Sequence, residues 1–209
     1  MKFPRHGLYA ITQTEHKSLE QIVRDVEDAL KGGAVVVQYR DKNPLDAVTL
    51  ASRLLRICHA YQVPLLINDS IELALQTGAD GVHLGRDDGD IAAARQLLGK
   101  DAIIGVSCYN DIGRAQLAAA AGADYVAFGR FFPSGSKPLA APAEIATLQQ
   151  AKRLLNVPIV AIGGILPNNG RQLLDAGADL LAVIGGIFDQ EPETAARAYQ
   201  TLFSPQQEN

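Results

Sequence analysis

The sequence predicts a single domain over residues 1–209: an α/β fold with eight parallel strands and eight helices closed into a (β/α)8 TIM barrel. Eight short apolar runs of strand type alternate with longer helical patterns along the whole chain. Most runs are apolar at consecutive positions, as expected of parallel strands covered on both faces. A Gly-Ala step stands just before alternate runs, in "GGAVVVQYR", "TGADGVHLG", "AGADYVAFG" and "AGADLLAVIGG". The glycines of those steps, Gly33, Gly78, Gly122 and Gly177, are 45, 44 and 55 residues apart, so each interval holds two strand–helix units. Fourfold repetition over eight units fits a closed barrel. An open doubly wound sheet is the alternative; it accommodates eight strands but gives no reason for even repetition.

The elements follow in order. The strands are expected at 8–12, 34–40, 64–69, 81–85, 102–107, 125–129, 158–164 and 180–186, each an apolar run closed by a polar residue or glycine. Helical patterns fill 18–31, 45–61, 91–98, 114–121, 143–154 and 171–176. Ser18 followed by Gln21 fits a capping box at the first helix. Pro192 opens the last helix, at a position where its missing N–H costs nothing.

Bulk properties exclude several function classes. The chain has 209 residues, 47% hydrophobic and 20% charged, which rules against disorder. A net charge of −4 leaves no global footprint for nucleic acid or an anionic membrane. Cys58 and Cys108 have neither metal-ligand spacing nor a disulfide framework. The N-terminus lacks the apolar core of a secretory signal, and no stretch approaches the ~20 apolar residues of a membrane span. A cytoplasmic enzyme acting on small molecules is the expectation.

In such a barrel the site is built at the C-terminal ends of the strands. Asp69 ends the third strand and Asp88 lies just past the fourth. Adjacent strands are ~4.8 Å apart, so both carboxylates reach one hard cation, as in a Mg²⁺ site completed by substrate phosphates. The competing reading makes each a helix N-cap. The second strand ends in Gln38, Arg40 and Lys42, placed on one face by alternation, which reads as an anion site. Its rival is a solvated strand end paired with Asp41 or Asp46.

After the sixth strand, Ser134, Gly135, Ser136 and Lys137 centre a long loop, 131–142, that reads as a phosphate lid or as ordinary surface loop. Gly163-Gly164 and Gly185-Gly186 close strands seven and eight, the usual phosphate position, or make tight turns. Ser107 is expected as a hydrogen-bonding site group, Cys108 has no histidine base nearby in sequence, and His83 is expected as a satisfied barrel residue.

The chain resembles the thiamine-phosphate synthase family, on "LYAIT", "QYRDK", "LLINDSIELAL", "GADGVHLGRDD", "IIGVSCYN", "GADYVAFGRFFPSGSKP" and "IVAIGGI". The resemblance covers nearly the whole chain. It implies a transferase that joins an aminopyrimidine methyl diphosphate to a thiazole phosphate, releasing pyrophosphate by a dissociative route. It further implies that Gln38, Arg40, Lys42 and Asn68 hold the pyrimidine diphosphate and that Asp69 and Asp88 bind Mg²⁺. Ser107 and Lys137 would contact diphosphate or pyrimidine; Ser134, Ser136, Gly164, Ile184 and Gly185 would hold the thiazole phosphate. The chain departs from the family pattern with Ser for Thr at 134 and 136, Arg for Gln at 86, and Gly for Ser at 185. A thiazole tautomerase, a paralogue on the same barrel, is the nearest rival; it should not need the Gln38, Arg40, Lys42, Asp69 and Asp88 set that this chain carries in full. A non-catalytic phosphate-ligand sensor is the third reading.

Overall fold

The computed structural model describes residues 1–86, 90–133 and 141–204. Strands β1 (Gly7–Ile11), β2 (Ala34–Tyr39), β3 (Leu65–Asn68), β4 (Gly81–Leu84), β5 (Ile103–Tyr109), β6 (Tyr125–Gly129), β7 (Ile159–Ile162) and β8 (Leu180–Val183) close into a barrel in sequence order. Every neighbouring pair is parallel, β8 pairing back to β1. Helices α1 (Leu19–Lys31), α2 (Ala47–Ala60), α3 (Ile71–Thr77), α4 (Ile91–Leu98), α5 (Ile112–Ala120), α6 (Ile145–Leu154), α7 (Arg171–Asp175), α8 (Gly185–Phe188) and α9 (Pro192–Gln200) lie between and after them. The fold is therefore a TIM barrel, as the alternating pattern predicts.

Local signals account for most boundaries. Ser18 and Gln21 form the capping box of α1, and Pro192 occupies the first turn of α9. Helix α5 starts before the predicted 114, because the Asp111 carboxylate accepts the Arg114 N–H at 2.9 Å. Helix α3, absent from the helical patterns above, is one short segment capped by Ser70 and ended by left-handed Gly78. The eighth strand stops at Val183 rather than 186. The N–H groups of Ile187 and Phe188 both turn back to the Ile184 carbonyl and begin α8.

Two apolar layers hold the barrel. One lies between sheet and helices, with Leu8, Leu54, Leu65, Phe128 and Leu148 in it. The other fills the barrel with Tyr9, Ile11, Val36, Leu66, Ile103, Tyr125, Val160 and Leu180. Phe3 stacks on Tyr125 at 4.0 Å between ring centroids. Gly105 makes room for that tyrosine: a Cβ there would lie 1.9 Å from the phenol ring.

The Gly-Ala echo acquires a third member. In three of its four copies the next residue is aspartate, and each aspartate clasps the preceding strand. The carboxylates of Asp80, Asp124 and Asp179 accept the N–H groups of Leu65, Ile104 and Ile159 at 2.9, 2.8 and 2.9 Å. The aspartate N–H groups bond to the carbonyls of those same residues. His59, Arg95 and Lys152, from the helices just before those strands, contact the same carboxylates. The first copy has Val35 in this place.

Candidate active site

The C-terminal ends of the strands open into a cavity of about 1300 Å³. Of the residues expected at the site, Gln38, Arg40, Lys42, Asn68, Asp69, Ser107, Gly164, Ile184 and Gly185 all line it. Asp88, Ser134, Ser136 and Lys137, and with them the centre of the expected lid, lie outside the described residues.

The basic strand end is held by its neighbour. Thr12, buried beside the end of β1, binds the backbone of Arg40 through its hydroxyl. Arg40 is part-buried and Lys42 exposed. Asp46 is occupied as the cap of α2, and Asp41 accepts the Asn43 N–H at 3.0 Å. Among the described residues neither Arg40 nor Lys42 has an ion pair. The solvated, paired strand end therefore loses ground as a reading. Gln38 is buried inside the barrel and donates to the Tyr9 hydroxyl at 2.7 Å.

Asp69 follows β3 with φ +65°, in the left-handed region. Its backbone N–H bonds to the His83 carbonyl, and its carboxylate accepts from Asn68 Nδ2 at 2.6 Å. The cap of α3 is Ser70, so capping does not explain Asp69. Helix α4 is likewise capped by Asp90. Asp69 brings an oxygen donor of the kind a hard cation prefers, and Mg²⁺ needs only one or two carboxylates when substrate phosphates and water complete its shell. Among the described residues no group of three or more His, Cys, Asp or Glu forms a metal cage.

At β5, Arg114 fixes the backbone next to Ser107. Its Nε donates to the Ser107 carbonyl at 2.8 Å and its Nη2 to the Gly85 carbonyl at 2.9 Å, tying the ends of β5 and β4. The Ser107 hydroxyl meets His83 Nε2 at 2.9 Å. His83 is thus a cavity-wall residue as well as a barrel residue. Arg86 lies over the Tyr109 ring at 4.9 Å from the centroid, on the rim of the cavity.

The glycine pairs have packing reasons of their own. Gly163 and Gly164 have φ +104° and +63°. A Cβ on Gly163 would stand 2.2 Å from that of Arg130, and one on Gly164 would stand 2.3 Å from the Pro133 carbonyl oxygen. A Cβ on Gly185 would meet the Asp189 carboxylate at 2.3 Å. Both pairs still form cavity wall.

Sequence reasoning passed over Tyr9, Thr12, Arg114, Tyr125 and Arg130. Alternation offered a signal for the first: Tyr9 and Ile11 share the inward face of β1. The others depend on contacts across the barrel or between loops. Burial pushes the Tyr9 and Tyr125 phenols well above the usual range, so both remain protonated. The Cys108 thiol is likewise pushed up to about 12 by burial, which removes it as a nucleophile at neutral pH.

Residues 8–187 match the family described as thiamine monophosphate synthase. A thiamine-phosphate synthase of Nitrosococcus oceani is 52% identical over 202 residues, covering 94% of this chain and 92% of that protein. One of Marinobacter nauticus is 49% identical over 205 residues, covering 96% and 92%. A solved thiamine phosphate pyrophosphorylase from Pyrococcus furiosus superposes with a TM-score of 0.85 at 31% identity, covering 95% of each chain. The chain belongs to the thiamine monophosphate synthase family, whose members are transferases.

Proposed function

We propose that the cavity joins an aminopyrimidine methyl diphosphate to a thiazole phosphate, giving thiamine phosphate and pyrophosphate. The bond from the pyrimidine methylene carbon to the diphosphate oxygen breaks first. The thiazole nitrogen then supplies the electron pair for the new C–N bond, and both electrons of the old bond leave on pyrophosphate. The observation that carries this reading is the basic strand end: Arg40 and Lys42 line the mouth with no ion pair among the described residues.

Arg40 and Lys42 stabilise the charge that accumulates on departing pyrophosphate, Arg40 from a backbone that Thr12 holds before that charge forms. Gln38, Asn68 and Ser107 orient the pyrimidine. Gly164, Ile184 and Gly185, with Ser134 and Ser136, hold the thiazole phosphate, and Lys137 reaches the diphosphate. Asp69, with Asp88, would hold Mg²⁺. When bound, that ion would neutralise diphosphate charge. No helix among the described residues is long and apolar enough to cross a membrane, which supports a cytoplasmic setting.

Turnover with both substrates tests the reading. Thiamine phosphate and pyrophosphate should appear in equal amounts, cease with EDTA and return with excess Mg²⁺. Isomerisation of a thiazole precursor without use of the diphosphate would replace the synthase with a tautomerase.

A further inference from the structure

Five polar side chains cross the barrel beneath the cavity. Gln38 on β2 donates through Nε2 to the Tyr9 hydroxyl at 2.7 Å. The Tyr9 and Tyr125 hydroxyls are 2.8 Å apart. Tyr125 reaches His83 Nδ1 at 2.8 Å, and His83 Nε2 reaches Ser107 Oγ on β5 at 2.9 Å. Gln38, Tyr9 and Tyr125 are each at most 2% exposed, so water does not replace the links among these three.

We propose that Tyr9, Tyr125 and His83 are positioning residues whose hydrogen bonds run in one direction, from the Gln38 amide to the Ser107 hydroxyl. The direction places the imidazole hydrogen on Nε2 and presents Ser107 O–H as a donor and Gln38 Oε1 as an acceptor to the substrate.

The direction follows from counting hydrogens. Each phenol carries one hydrogen and stands between two partners. Tyr9 accepts from Gln38, so its own hydrogen goes to Tyr125. Tyr125, having accepted, donates to His83 Nδ1, which must then be the bare nitrogen. The ring hydrogen is on Nε2 and goes to Ser107 Oγ, leaving the serine hydrogen for the cavity. Burial keeps both phenols protonated, so neither link loses its hydrogen. Reversing one bond while the others stand leaves two hydrogens facing each other or a link with none, each costly in a dry interior.

Opposite walls of the cavity thus carry a fixed acceptor and a fixed donor. This matches a heteroaromatic amine, which offers an N–H and a ring-nitrogen lone pair. The substrate match rests on the aminopyrimidine reading above; the hydrogen placement does not.

Long-range ¹⁵N–¹H NMR on the ligand-free full chain, with His83 assigned through His83→Asn, tests the placement without turnover. The expected result is a pyridine-type Nδ1 and a pyrrole-type Nε2. A pyrrole-type Nδ1 overturns the proposal, whether or not the protein makes thiamine phosphate. Tyr125→Phe cuts the relay at its centre. It should lose the single-tautomer signature and about tenfold in kcat/KM for the pyrimidine diphosphate. Adding it to Ser107→Ala should cost little more than Ser107→Ala alone. A lowered melting temperature with unchanged kcat/KM, or fully additive losses, overturns the relay. If Tyr125→Phe does not fold, Tyr9→Phe is read by the same criteria.

Discussion

Thr12 Oγ1 accepts the Arg40 N–H and donates to the Arg40 carbonyl, both at 2.9 Å. One buried hydroxyl just past the end of β1 thereby takes both backbone bonds of the residue just past the end of β2, a residue that lines the cavity. The side chain proposed to bind the diphosphate and the side chain that holds its backbone are separable by mutation. Arg40→Ala should cost at least tenfold in kcat/KM with an unchanged urea midpoint, since it loses a charge-assisted contact of ~1.5–3 kcal/mol. Thr12→Val should lower both stability and activity, because it strands two part-buried backbone groups. Wild-type kinetics for Arg40→Ala would move the diphosphate elsewhere.

Ser70 caps α3 and its neighbour Asp69 does not, so the two are separable by mutation. Ser70→Ala removes the cap of α3 and should cost ~0.5–2 kcal/mol of stability with turnover nearly intact. Asp69→Asn keeps a residue type that tolerates the left-handed backbone but removes the charge. It should retain stability and lose most activity and the response to Mg²⁺. An active Asp69→Asn that still responds to Mg²⁺ would remove this carboxylate from the metal site.

The aspartate clasps should matter to stability alone. Asp124→Ala strands the Ile104 N–H and unpairs Arg95, and should cost ~1–3 kcal/mol in urea unfolding. Asp124→Asn keeps an acceptor and should cost less. Kinetic constants should be unchanged in both; a large fall in kcat would contradict the assignment.

Alkaline pH should weaken the fold through the buried thiols. Burial, chiefly, raises Cys58 beyond Cys108, which stands at about 12. Free thiols ionise near ~8.5, so between that pH and about 12 the unfolded chain releases protons that the folded chain keeps. This stabilisation is complete below ~8.5 and declines as pH rises through the window. The urea midpoint should therefore fall between pH 8 and pH 10, and less so in the Cys58→Ala/Cys108→Ala double variant. Equal pH slopes in the two proteins would exclude the thiols.

The barrel was legible in the chain because burial on both faces forces apolar runs and the repeat marks alternate strands. The cationic strand end was legible as cavity wall because Arg40 and Lys42 follow such a run. Helix α3 was missed because Ile71–Thr77 is too short to display a helical period. The boundary at Val183 was missed because "LLAVIGG" stays apolar across the change from strand to helix. Tyr125 and His83 look like ordinary strand residues until the barrel closes and sets them 2.8 Å apart, 42 positions from one another in sequence.

The clasps also bear on the order in which the chain folds. Asp80, Asp124 and Asp179 tie residues only 15, 20 and 20 positions away, so each closes a strand–helix–strand unit at small entropic cost. The first unit has Val35 instead, and β1 must also find β8 at the far end of the chain. Local contacts form ahead of distant ones. The last three quarters of the barrel should gain amide protection early, with the N-terminal quarter joining last. Pulse-labelled hydrogen exchange showing β1 protected before β5–β8 would reverse that order.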